Sequence, residues 1–282
     1  MNRARLAALP AVLLLAASLS AQSSDQEKPK TSGNAGMLVG QVNADVTAAR
    51  KAEAEKRYAD AEAILQKDVS EHPELAVPRV ELGLAQLSLE KYDAAAANFR
   101  QILGINTSID AVTHDQSFYQ SANPQTTHAS RNTAGGEYIA EKNRDPEVIG
   151  AAWNGLGEIY IRQKDFKNAE TAYDNAAQAN PAKAAFYRGN ETILFFKAGQ
   201  SDAQLTAAEK AIAADPTRPS MYYFKAQALV SKATVDSAGK MTLPPGCGEA
   251  YQKYLQLDPN GQFSADAKGI LTAAGLPIPK KS

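Results

Sequence analysis

WNGLGEIYIRQKDFKNAETAYDNAAQANP, residues 153–181, decides the fold of this 282-residue chain. Trp153, Leu156, Gly157 and Tyr160 recur at three- and four-residue spacing and mark one stripe of a first helix. Phe166 follows near a turn, and Ala169, Tyr173 and Ala176 make a matching stripe on a second helix. Pro181 closes the unit. Gly157 and Ala169 are small where two antiparallel helices must approach closely, and the aromatic side chains fill the gaps around them.

The register carries to neighbouring segments. Subtracting 34 from Tyr92, Ala95 and Phe99 gives Tyr58, Ala61 and Leu65, the same small-and-large pattern. Helix-turn-helix units are therefore expected over about 42–75, 76–109, 150–183 and 184–218. Gly83 and Ala49 take the small position in the first helices of the two early units, and Gly199 marks the turn of the 184–218 unit. This pattern resembles the tetratricopeptide repeat family, with residues 153–181 matching almost every consensus position. The resemblance implies an all-α, right-handed α–α superhelix, and it covers most of residues 42–262.

The last unit, ending near residue 262, is longer. Its first helix is expected over 219–232 and its second over 246–257, and Pro216 to Pro259 spans 43 residues against a period of 34. The excess falls in ATVDSAGKMTLPPG, residues 233–246, where TVD and KMTL flank Ser237-Ala238-Gly239 and can pair as a short hairpin. A terminal helix over about 263–274, followed by a tail to 282, is expected to cap the open end of the stack. Residues 110–149 fit poorly. Thr113 to Thr133 is rich in polar residues without an apolar stripe, so the interval reads as a degenerate unit or a long polar loop.

Composition bounds the function. Lys+Arg 30 against Asp+Glu 31 gives a net charge of −1, which supplies no general attraction for nucleic acid or an anionic membrane. One cysteine, Cys247, excludes an intrachain disulfide. Three histidines, His72, His114 and His128, leave little material for a histidine-rich centre. Residues 1–21 carry a basic start at Arg3 and Arg5, an apolar run from Leu6 to Ala17, and small residues ending at Ala21, the pattern of a secretory signal. Cleavage there removes two arginines and leaves a charge of 28 − 31 = −3. The segment 22–41 then reads as a flexible linker, and the expected location is the periplasm or the cell exterior, without integral membrane insertion.

No P-loop, dinucleotide-binding glycine motif, HExxH or G-x-S-x-G sequence is present, and no cofactor is expected. His114 and Asp115 are adjacent, but neighbouring side chains on a helix do not share a face, and no third member is evident. Cys247 aligns with Ala61, Ala95 and Ala169, which implies a packed, unreactive thiol. The sequon at Asn190 falls within a helix and carries no weight.

What remains is the concave surface that paired helices create as they stack. In the resembled family the first helix of each unit lines it. Register carries those positions onto Asn154, Glu158 and Arg162, then Arg188, Thr192 and Phe195 (or its neighbour Phe196), then Tyr223 and Gln227. An arginine flanked by amide and aromatic groups can grip an extended chain. A carboxylate-binding clamp is disfavoured, because Glu158 is negative and Val80 and Leu84 are apolar at corresponding places. The expectation is a non-catalytic protein–protein interaction or scaffold module of the bacterial envelope, binding a peptide or protein in the groove. The alternatives are a glycan- or peptidoglycan-associated accessory protein stacking sugars on Trp153, Tyr187 and Tyr222, and a hydrolase built on 113–133.

Overall fold

The structure, a computed structural model, describes residues 33–73, 75–104, 145–237 and 239–279. The expected signal at 1–21, most of the interval 110–149 and the candidate hydrolase segment 113–133 lie outside those residues. The described helices are α1 (Gly33–Ala54), α2 (Tyr58–Glu71), α3 (Ala76–Ser88), α4 (Tyr92–Leu103), α5 (Pro146–Arg162), α6 (Phe166–Ala179), α7 (Ala184–Lys197), α8 (Ser201–Ala214), α9 (Pro219–Val230), α10 (Cys247–Leu257) and α11 (Ser264–Ala273). They form consecutive antiparallel pairs stacked as an α–α solenoid, with α11 as the last layer. Helix α1 begins at Gly33, inside the stretch read as linker. Its buried stripe starts at Val42 and continues through Val46, Ala49 and Ala52, and once that face is anchored each further N-terminal residue adds a hydrogen bond at little nucleation cost.

The turns within the first four pairs are built the same way. Lys56, Glu90 and Lys164 have positive φ of 60°, 59° and 63°, and Gly199 has 70°. In each turn two backbone bonds close the helix end. Lys56 N–H reaches the Glu53 carbonyl and Arg57 N–H the Ala52 carbonyl, both at 2.8 Å. Lys164 and Asp165 repeat this onto Ile161 and Tyr160, and Gly199 and Gln200 onto Phe196 and Phe195. These paired bonds satisfy carbonyls that a helix end leaves orphaned. Starts are set by local chemistry too. Asp145 accepts from Glu147 N at 2.8 Å ahead of Pro146, and Asp165 accepts from Asn168 N at 3.3 Å.

Packing inside each pair depends on a small residue facing a large ring. A Cβ on Gly83 would stand 2.5 Å from the Phe99 ring, and one on Gly157 would stand 2.7 Å from the Tyr173 ring. Phe99 also presses on Gly155 of the next pair, so one buried ring fixes both an intra-pair and an inter-pair distance. The fourth pair shrinks the ring instead: Thr192 takes the small position and Ala208 the aromatic one, and both are fully buried.

α4 packs directly on α5, so the described stack passes from the second pair to the third without an intervening layer. In the last pair the hairpin forms from the residues expected, with Thr234 opposite Thr242 and Val235 opposite Met241. Cys247 is buried, and its thiol donates to the Ala226 carbonyl at 3.5 Å. Burial, then the charge of Glu249, pushes that thiol up to about 11, which keeps it protonated and unreactive.

Two outcomes follow from this geometry. Lys164→Gly, which removes the left-handed penalty on a side chain, raises stability by about 1 kcal/mol in urea denaturation. Gly157→Ala destabilises by about 1–3 kcal/mol through overpacking, and adding Tyr173→Leu recovers part of that loss. An unchanged midpoint for Gly157→Ala contradicts the close approach.

Candidate interaction groove

Helices α1, α3, α5, α7 and α9 each pack against the next in that series, so the first helices of the pairs form one continuous wall. The centre of that wall is ionic. Arg162 lies in the last turn of α5, where a cation complements the helix dipole. Its Nη2 and Nε donate to Glu158 Oε1, one turn earlier, at 2.6 and 3.2 Å. The guanidinium also lies 5.4 Å from the centre of the Tyr92 ring, within cation–π range. Glu158 is 2% exposed at its side chain and Arg162 34%, so the carboxylate lies behind and the arginine faces out. Burial pulls the Arg162 guanidinium down, but the Glu158 hydrogen bond and charge, with Tyr92 and Glu90, outweigh it and hold it above its ordinary value. Lys197 is exposed nearby; burial of its stem pulls its ammonium below the usual range, with Glu158 opposing and Arg162 adding to the shift.

One pair further on, Arg188 bridges Asp174 at 2.5 Å and Glu191 at 3.0 Å. Burial pushes the Glu191 carboxyl up to about 7, against the pull of Arg188. The Tyr173 hydroxyl is buried with no hydrogen-bond partner. Burial, then the charges of Glu158 and Glu191, holds it well above the ordinary phenol range.

The residues assigned by register separate into those that face solvent and those that do not. Arg162 is exposed, and Arg188 and Gln227 are half-buried. Asn154 is buried and accepts from Asn190 Nδ2 at 3.1 Å. Thr192 is fully buried, its hydroxyl donating to the Arg188 carbonyl at 2.7 Å; it braces α7 and lines no surface. Phe195 is likewise fully buried, against Phe166 with ring centres 6.1 Å apart. Its neighbour Phe196 takes the half-exposed place and meets Phe224 at 5.2 Å. Tyr223 is covered by the cap: its ring stacks on Phe263 at 4.0 Å and 5°, and its hydroxyl donates to Asp266 at 2.9 Å. Gln227 donates to the same Asp266 oxygen at 2.9 Å. The groove is thus closed at its C-terminal end by α11.

Register reading named Arg162 and offered Phe196 beside Phe195, but it left out Ser88 and Ser231. Ser88, Arg162 and Phe196 lie in the last turns of α3, α5 and α7 and Ser231 just after α9, and all four retain solvent exposure. Only burial separates Phe196 from Phe195. The sugar-stacking set is also corrected. Trp153 and Tyr187 are buried at 3% and 2% exposure in the repeat core, and Tyr222 ties its hydroxyl to the Pro216 carbonyl at 3.1 Å. Among the described residues no group of three or more His, Cys, Asp or Glu side chains is placed to hold a metal ion, and no helix is long and apolar enough to cross a membrane.

Residues 150–190 match the tetratricopeptide repeat profile. No curated protein sequence matches the chain. Among solved structures the chain is similar to YrrB, a tetratricopeptide repeat protein with an unusual peptide-binding site, at 14% identity and TM-score 0.45, covering 80% of this chain and 90% of that one. It is similar as well to a thermophilic tetratricopeptide repeat protein of Thermus thermophilus, at 16% identity and TM-score 0.43, covering 82% and 97%. The TPR2AB domain of yeast Sti1 in its pHSP90 complex gives 15% identity and TM-score 0.31, covering 84% and 98%.

Arg162→Ala leaves Glu158 buried without its cation and costs about 1–3 kcal/mol, less than a fully buried pair because the arginine is partly solvated. The double change Glu158→Gln with Arg162→Ala restores most of that stability in urea denaturation. If the double variant is no more stable than the single one, the buried carboxylate is not the source of the cost.

Proposed function

The chain belongs to the tetratricopeptide repeat proteins, and on that premise we propose that it binds an extended segment of a partner protein along the row Ser88, Arg162, Phe196 and Ser231. Repeats of this kind are protein-interaction scaffolds. The observation that carries the finer reading is Arg162. It is a charged group held in one place by a buried carboxylate and a tyrosine ring, yet open to solvent on its remaining side. Holding a side chain in advance removes ordering cost from the binding step, and a guanidinium presents several donors in a fixed plane. Phe196, one repeat further on, supplies an apolar contact in the same row.

The proposed setting is the periplasm or the cell exterior, where the signal-like residues 1–21 would deliver the chain. N-terminal sequencing of protein recovered from the envelope fraction tests this directly, with Gln22 as the expected first residue. Retention of Met1 in a cytoplasmic fraction overturns the location and leaves the groove reading untouched.

Photo-crosslinking tests the groove itself. A photoreactive amino acid at Ser88 or Ser231 is expected to capture a discrete partner in cells, whereas the same group at exposed Glu170 on α6 is not. Arg162→Glu is expected to reduce capture about ten-fold, with helicity checked by circular dichroism. Equal capture from Glu170, or capture indifferent to Arg162→Glu in a folded protein, removes the groove assignment.

A further inference from the structure

The first helix pair is assembled with carboxyl groups facing carboxyl groups. Asp45, Ala49 and Glu53 follow one another at four-residue spacing along α1, and Ala49 is fully buried in the seam with α2 and α3. Asp68 of α2 is 3% exposed and lies close enough to Asp45 of α1 for that carboxyl to disfavour its ionisation. Gln41 Nε2 donates to both Asp45 oxygens at 3.2 and 3.1 Å. Asp68 Oδ2 is buried without a hydrogen-bond partner.

Two helix turns along α1 the arrangement recurs. Glu53 buries Oε1 without a partner, in the field of Glu81 on α3. The cation between them, Arg50, is committed to Glu81 Oε1 through Nε at 3.0 Å and Nη2 at 2.5 Å. Asp68 therefore faces Asp45 from α1, with Lys67 and His72 beside it at the end of α2 acting the other way. Glu53 faces Glu81 from α3 and Arg50 from its own helix.

We propose that docking of α1 onto α2 and α3 is proton-dependent: the helix is held while Asp68 and Glu53 carry protons and is loosened as they ionise. Burial, then Asp45, pushes Asp68 up from 3.8 to about 6. Burial, then Glu81, pushes Glu53 up from 4.5 to about 8, against Arg50. Both groups bind a proton more tightly folded than unfolded. Their contribution is complete below the ordinary carboxylate range and is lost as pH rises through about 6 and then about 8. Loosening α1 uncovers Leu65, Leu75 and Leu82, which it otherwise buries, at the N-terminal end of the solenoid. The device acts on the fold itself and does not depend on any ligand in the groove.

Hydrogen exchange of the full chain, read by mass spectrometry and corrected for the intrinsic pH dependence of exchange, tests this without a partner. Between about pH 5.5 and about pH 8.5, amides of residues 42–54 are expected to lose protection ten-fold or more, while those of α5 and α6 change about two-fold or less. Asp68→Asn and Glu53→Gln each reduce the loss, and together they abolish it. Should the double variant fail to fold, Asp45→Asn alone is expected to shrink the loss, because an amide tolerates an ionised Asp68. A uniform pH response across α1, α5 and α6 overturns the proposal, and so does a response in α1 that these variants leave undiminished.

Discussion

The contact of a glycine in one helix with an aromatic ring in its partner sets the geometry of the whole solenoid. Where Gly83 meets Phe99 and Gly157 meets Tyr173, no room is left for a single added carbon, so the distance between the two helices is fixed by the ring. Because Phe99 also rests on Gly155, the same ring sets how far the next pair stands away. Fully burying a side chain of this size contributes about 2–3 kcal/mol. Its larger effect is on specificity, since an interior packed to native density admits few alternative registers. The fourth pair relaxes the constraint, with Thr192 and Ala208 at those places.

Glu191 brings a buried carboxyl group into the wall of the groove, where Arg188 answers it and Asp174 answers Arg188. Glu158 and Arg162 form the equivalent couple one pair earlier. Buried ion pairs of this kind are weak sources of net stability. Their value here is positional: each carboxylate holds an arginine at the groove surface in one orientation. The N-terminal pair lacks that balance. Its carboxyl groups outnumber the cations set against them, and proton occupancy takes the place of a counter-charge.

The two ends of the stack are finished differently. At the C-terminal end α11 covers the last pair with Ala267 and Leu271, and Phe263 and Asp266 satisfy Tyr223 and Gln227. At the N-terminal end α1 contributes valines and alanines and a doubled set of acids. Local stability within a repeat array follows such nearest-neighbour contacts.

The sequence by itself determined the repeat, the pairing of helices and the place of each small and large residue, because those follow from a local period that packing cannot alter without losing the core. It also placed the hairpin, the cap and the inert Cys247. It brought Arg162 to the groove, since a helix register of one turn carries that much. It did not tell Phe195 from Phe196, or show that Thr192 and Tyr223 turn inward, because neighbouring residues on a helix differ by only 100° and the choice depends on what the next helix covers. Tyr92 under Arg162, Asp266 across from Gln227 and the facing acids of α1 and α2 were invisible for the same reason. Each joins residues distant along the chain, and only the stacking of one pair on another decides which of them meet.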